Sequence, residues 1–213
     1  MNPPEMTGSN IVLVGSFNPS IFQPAWFKAN NLLRPQECDA AKIELIHPEI
    51  SSFSIDWLKI SVFLNRFSVE TADAHHFEPL RDLVLGIFGL LEHTPVSKMG
   101  LNRQMHFSMT SLEKWHGFGH MLAPKELWKG IMEEPGLLSM TMQDRRKEPP
   151  GYVRVKIEPS TKITPGIYME VNNHYEFEGE NALQKLMAIL KNSWSEIISF
   201  SDKIAEHLLV QEY

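Results

Sequence analysis

Apolar and polar side chains alternate along several stretches of this chain and shift to helical spacing along others. In 57–64, Leu58, Ile60, Val62 and Leu64 point one way, and Lys59, Ser61 and Phe63 point the other. That period of two marks a half-buried strand. Asn65 and Arg66 make a tight connection, and Phe67 and Val69 resume the alternation, which predicts a hairpin. The clearest strand is 97–109: Met99, Leu101, Met105, Phe107 and Met109 share one face with Arg103, and Asn102, Gln104, His106 and Ser108 share the other. Shorter strands are predicted at 11–16, 42–47, 137–143, 151–158 and 166–172, with Leu138, Met140 and Met142 expected inward in the third of these. The spacing of Phe77, Leu80, Val84, Ile87 and Leu91 predicts a helix over 77–92. Leu183, Met187, Leu190, Trp194, Ile197, Ile204 and Leu208 predict a longer one over 181–208, with a break near Ser199 and Ser201. Prolines 24 and 124 open two short helices, 24–33 and 124–134.

In order, these elements read βαβββα twice, over 10–94 and 95–213, after a frayed N-terminus at 1–9. The expected fold is α+β, with two duplicated βαβββα halves in one compact domain. A mostly antiparallel sheet with one apolar face needs cover, and the two long helices supply it. The expected result is a curved sheet with both helices on one side, similar in shape to the saddle of the TATA-binding-protein fold. The opposite face would carry Lys59, Ser61, Asn102, Gln104, His106, Ser108, Thr141, Tyr152, Arg154, Lys156, Tyr168, Glu170 and Asn172. Tyrosine and arginine are favoured interface anchors. Asn102, Gln104, His106, Tyr152, Arg154, Lys156, Tyr168 and Glu170 are therefore the candidate binding residues.

Composition narrows the options. The 213 residues are 43% hydrophobic and 22% charged, ordinary for a globular chain. The only cysteine, Cys38, leaves no disulfide to form. Neither a signal-peptide pattern nor a long apolar run is present, so a cytoplasmic protein without a membrane partner is expected. The net charge of −6 disfavours a general nucleic-acid binder. The exception is a basic hairpin at 144–156, where Arg145, Arg146, Lys147, Arg154 and Lys156 lie among Asp144 and Glu148.

Catalytic motifs are missing. There is no phosphate-binding glycine loop, nucleophile elbow or dinucleotide fingerprint. His116 and His120 have a four-residue spacing, but Gly117 and Gly119 between them argue for a loop over 115–120. No metal and no cofactor is expected. An enzyme with a cryptic site around His106, His116 and His120 is one alternative reading, and a nucleic-acid binder acting through the basic hairpin 144–156 is the other. Cys38 lies between Glu37 and Asp39, whose charges raise a thiol pKa and make a poor nucleophile.

The stretches NRFSVET (65–71), FEPLRDLVLGIFGLL (77–91) and VSKMGLNRQMHF (96–107), with Trp194–Phe200 in the last helix, resemble a sporadically distributed family of uncharacterised bacterial proteins. Arg66, Phe67 and Gly100 match, and none of them is catalytic. The resemblance implies a patchy distribution of the sort seen for genes on mobile elements and defence islands. It transfers no active site. The expectation is a non-enzymatic protein-interaction subunit of a bacterial anti-phage defence or toxin–antitoxin-like module. Its partner would be another protein or a further copy of this chain.

Overall fold

The computed structural model describes residues 3–210. Nine strands form a single antiparallel sheet among these residues. They are β1 (Met6–Gly15), β2 (Lys42–His47), β3 (Ile50–Ile55), β4 (Leu58–Phe63), β5 (Arg66–Thr71), β6 (Val96–Ser108), β7 (Met140–Arg146), β8 (Gly151–Pro159) and β9 (Gly166–Glu176). Their spatial order is β2-β3-β4-β5-β1-β6-β9-β8-β7. The helices are α1 (Pro24–Ala29), α2 (Pro35–Asp39), α3 (Phe77–Leu90), α4 (Leu112–Leu122) and α5 (Ala182–Leu209). The protein is thus α+β, as its pattern predicts.

Two adjacent rows of paired residues show how the alternation builds the two faces. One row runs Phe53, Ile60, Val69, Ile11, Leu101, Asn173 and Val153 across seven strands. One residue along each strand, the other runs Lys42, Ser54, Lys59, Glu70, Asn10, Asn102, Asn172, Arg154 and Gln143 across all nine. The second row is polar at every position. All five helices pack on the side of the first.

That covered side holds two apolar clusters. One joins β1, β4, β5, α3 and the first half of α5 around Phe67, whose ring lies 5.5 Å from Phe22 and 5.2 Å from Phe88. The other joins β6, β8, β9, α4 and the end of α5 around Met105, Phe118, Met169 and Ala205. Polar residues fall between them on each shared element: Arg103 on β6, Asn173 on β9, and Ser201 and Asp202 on α5. The Arg103 side chain, 7% exposed, donates to Asp202 Oδ1 at 3.1 Å, to Gly8 O at 3.4 Å and to Thr7 Oγ1. Its guanidinium lies 4.9 Å over the Phe77 ring. Asn173 donates to Ser201 Oγ at 3.4 Å, and Ser201 returns its proton to Ile197 O at 2.8 Å. A buried charge is tolerated when partners surround it in this way.

Several expectations are corrected. Strand β1 begins at Met6, so residues 6–9 of the expected frayed terminus pair with β6, and Ser9 is buried. Residues 1–2 lie outside the described residues. Strand β3 was not predicted, and it gives the first half four strands after its first helical segment instead of three. Its serines blur the apolar period, yet Ser51 bonds to Phe22 O, and Ser52 bonds to Ser61 and Glu44.

The second-half helix lies at 112–122 instead of 124–134, and Gly117 and Gly119 fall inside it. Phe118, buried in the apolar cluster, and Trp115 Nε1, donating 3.0 Å to Gly166 O, outweigh the helix cost of two glycines. The expected helix at 124–134 contains only a short turn at Lys125–Trp128. Strand β7 starts at Met140, and Leu138 and Met142 are exposed, while Met140 is partly buried against the second apolar cluster. α5 continues through Ser199 and Ser201 without a break.

Removing the Phe67 ring, which sits amid Phe17, Phe22 and Phe88, leaves a cavity that the sheet cannot close. Phe67→Ala is expected to cost about 3–5 kcal/mol, and Met142→Ala less than about 0.5 kcal/mol, read from urea unfolding followed by circular dichroism.

Candidate binding face

Among the described residues no helix covers the polar side of the sheet, and the eight candidate residues all lie on it. They fall in neighbouring rows. Asn102, Asn172 and Arg154 belong to the row that crosses all nine strands. Gln104 pairs with Glu170, and Glu170 with Lys156. His106 pairs with Tyr168. Tyr152 pairs with His174, which faces Gly100 on its other side.

The side chains in these rows are tied to one another. Asn172 Nδ2 donates to Asn102 Oδ1, and Asn102 Nδ2 donates to Asn10 Oδ1, a chain of three amides over the central strands. Glu170 Oε2 accepts from Gln104 Nε2 at 3.3 Å and from the Tyr168 hydroxyl at 3.0 Å. Burial, with the Glu170 carboxylate beside it, raises the Tyr168 phenol above its ordinary value. Lys156 pairs with Glu158 at 2.8 Å, which holds the ammonium pKa up and the carboxyl pKa down. Tyr152 stacks on His174 at 4.4 Å and 11°, and the Arg154 guanidinium lies 4.8 Å over the Tyr152 ring.

His106 is 7% exposed and shares a 2.8 Å hydrogen bond between its Nδ1 and Ser160 Oγ. The pair has the outline of a nucleophile and base, but its bonding is that of a lock. Ser160 Oγ also accepts from the backbone N–H groups of Lys162 at 3.1 Å and Ile163 at 3.0 Å. A hydroxyl has two acceptor sites and one proton. With two backbone donors on its oxygen, Ser160 gives its own proton to His106 Nδ1 when that nitrogen is unprotonated, and the hydroxyl is held by three bonds at once. The arrangement pins the loop after β8 to β6.

The other histidines do not join it. His116 and His120 lie on α4, which packs against the opposite side of the sheet. His120 instead meets Glu126 at 3.3 Å. Among the described residues, no three His, Cys, Asp or Glu side chains are grouped to hold a metal ion. Cys38 is buried, and burial, then Glu37 and Asp39, raise its thiol pKa. No helix among the described residues is long and apolar enough to cross a membrane.

The basic hairpin divides between the two sides of the sheet. Arg146 turns to the covered side, where it donates to the Tyr175 hydroxyl at 3.2 Å and lies 5.1 Å over Phe200. Lys156 is paired with Glu158. Arg145, which pairs across β7 and β8 with Tyr152, and Arg154 have no carboxylate within ion-pair distance among the described residues.

Sequence reasoning missed Asn10, Glu70, Gln143 and His174 on this face. Asn10 and His174 lie just outside the strand limits that apolar alternation set, and the pairing register alone reveals them. A cleft of about 740 Å³ opens beside the face, lined by Gly8, Lys59, Glu70, Gln104 and His106 among others.

The fold and face together define an antiparallel sheet covered by helices on one side, with a hydrogen-bonded polar surface on the other. The chain matches no protein-family model and no curated protein.

Burial holds the imidazoles of His106 and His174 below the ordinary histidine pKa, with Lys162 adding to the effect at His106; at His174 the Glu176 carboxylate opposes it, and Lys98 and Arg154 add to it. The unfolded chain then binds more protons than the folded one just below the ordinary value of about 6.5. Stability is expected to be full above that pH and to fall as pH drops towards 5. The urea midpoint measured at pH 7.5 and pH 5 checks this, and the His106→Asn, His174→Gln double variant is expected to flatten the difference.

Proposed function

We propose that this protein is a non-enzymatic interaction subunit that docks a protein partner on its polar sheet face. The observation that carries the reading is the nine-strand polar row, which includes Arg154 and is left without a helix among the described residues, with Tyr152 in the next row and Tyr168 further along the same face. A sheet of this width normally buries apolar side chains on any face meant to pack within the chain. Here the face carries ordered amides together with an aromatic stack and a held guanidinium, and tyrosine and arginine are the residue types that anchor interfaces. The saturated Ser160 hydroxyl and the separation of His106 from His116 and His120 favour binding over catalysis. The resemblance to a patchily distributed bacterial family supports placing the subunit in a defence or toxin–antitoxin-like module.

The same reading takes the two halves as related by a pseudo-twofold axis between β1 and β6, in a saddle like that of the TATA-binding-protein fold. Two features support it. From the β1–β6 pair the order runs outward as β5-β4-β3-β2 on one side and β9-β8-β7 on the other. Both central strands also carry Gly-x-Asn, at Gly8–Asn10 and Gly100–Asn102, with Asn10 paired to Asn102.

Affinity capture from the native host with tagged wild-type protein and with Tyr168→Ala, Arg154→Glu protein tests the docking face. Specific partners are expected to be recovered with the wild type and with a Lys191→Glu control on the exposed side of α5, and lost with the double variant. Equal recovery by all three proteins would remove the face from the account.

A further inference from the structure

The geometry points to an acidic, extended peptide segment of the partner as the occupant of the corner formed by Asn10, Asn102, Asn172, Arg154, Tyr152 and Arg145. This inference rests on the docking role of the polar face and names what that face takes.

The first ground is charge. Most charged groups around the corner are already matched: Lys98 with Glu176 at 2.6 Å, Lys156 with Glu158 at 2.8 Å, and Glu170 with Gln104 and Tyr168. Arg145 and Arg154 remain without a carboxylate among the described residues, and both are exposed. The corner therefore offers two cations to an anion brought from outside.

Preorganisation is the second ground. One face of the Arg154 guanidinium lies on Tyr152, which is itself backed by His174, and its Nη2 donates to Gln143 Oε1 at 2.8 Å. A planar guanidinium has five N–H donors in a fixed fork. Nη2 has a second N–H besides the one given to Gln143, so with the ring holding its plane one fork of the guanidinium, Nη2 with either Nε or Nη1, stays open to grip a carboxylate with two bonds. Little side-chain freedom is then lost on binding, which favours affinity.

The third ground is the amide chain that leads up to Arg154. Its inner bonds are satisfied, but Asn172 Oδ1 and Asn10 Nδ2 at its ends have no partner among the described residues. An acceptor and a donor in line match the N–H and C=O groups of a peptide backbone. From Asn10 on β1 to Arg154 on β8 the row crosses three inter-strand gaps, about 14 Å. An extended peptide covers that distance with about four residues. Such a segment would lie across the strands with an Asp or Glu above Arg154.

A single-stranded nucleic acid fits less well. Base stacking needs a free aromatic face, and the Tyr152 ring is already in contact with both His174 and Arg154. His106, beside Tyr168, is 7% exposed.

The test is fluorescence anisotropy with the full chain at low salt, using labelled hexaglutamate, hexaglutamine and oligo-dT probes. Hexaglutamate is expected to bind saturably and hexaglutamine not. Arg154→Gln should weaken binding about tenfold or more, as for the loss of a charged hydrogen-bonding partner. Tyr152→Leu, which frees the guanidinium, should weaken it in the same direction, with Lys191→Gln unchanged. Circular dichroism confirms that each variant is folded. Lack of saturation, equal binding of hexaglutamine, tighter binding of oligo-dT, or indifference to Arg154→Gln would each overturn the inference. In host capture, loss of the partner with Tyr168→Ala but not with Arg154→Gln would overturn this occupant and leave the docking face standing. Retention by both variants would overturn both.

Discussion

Asn10 and Ile11 are neighbours in the chain, yet Ile11 is fully buried under helices while Asn10 belongs to a polar row that no helix covers. The period-two geometry of a strand enforces that separation, and antiparallel pairing carries it from strand to strand without change of face. Because every helix connects on one side, apolar burial and polar display are segregated over the whole sheet. A one-residue slip in the β1–β6 pair would carry Asn102 and Gln104 into the core and Leu101 and Met105 out of it. The register of the two central strands is therefore the constraint on which both the core and the proposed docking face depend.

The core is not uniform, and its polar division has a physical logic. Arg103, Asn173, Ser201 and Asp202 lie between two apolar clusters and connect β6, β9 and α5. Apolar packing is non-directional and tolerates sliding, whereas a charged hydrogen bond of defined geometry does not. The belt thus sets where the 28-residue α5 sits along the sheet. It has a cost, since Asn173 Oδ1 is buried with no hydrogen-bond partner among the described residues.

On the other side the same chemistry is used at the surface. The three-asparagine chain, the Tyr168–Glu170–Gln104 group and the Arg154–Tyr152–His174 stack restrict side chains that would otherwise be mobile. Restricting them before a partner arrives lowers the entropy cost of association. Ser160 and His106 show how such bonding also limits chemistry: a hydroxyl whose donor and acceptor sites are all engaged is a structural fastener.

Much of this was legible in the sequence. Strand β2 at 42–47, the two long helices and the polar face with its eight residues all follow from local periodicity, because each depends on side chains a few positions apart. Residues whose environment is supplied by distant segments were not legible. The serines of β3 look like a loop until Phe22, Ser61 and Glu44 accept or share their hydroxyl bonds. The glycines of α4 look like a turn until Phe118 finds the second apolar cluster. Leu138 and Met142 look like core until the edge of the sheet leaves them exposed. The chain by itself determined which residues alternate and how often. Tertiary structure alone decided which strands became neighbours, and so brought Asn10, Asn102, Asn172 and Arg154 into one row. Pairing register is a contact between segments far apart in the chain, and no local pattern contains it.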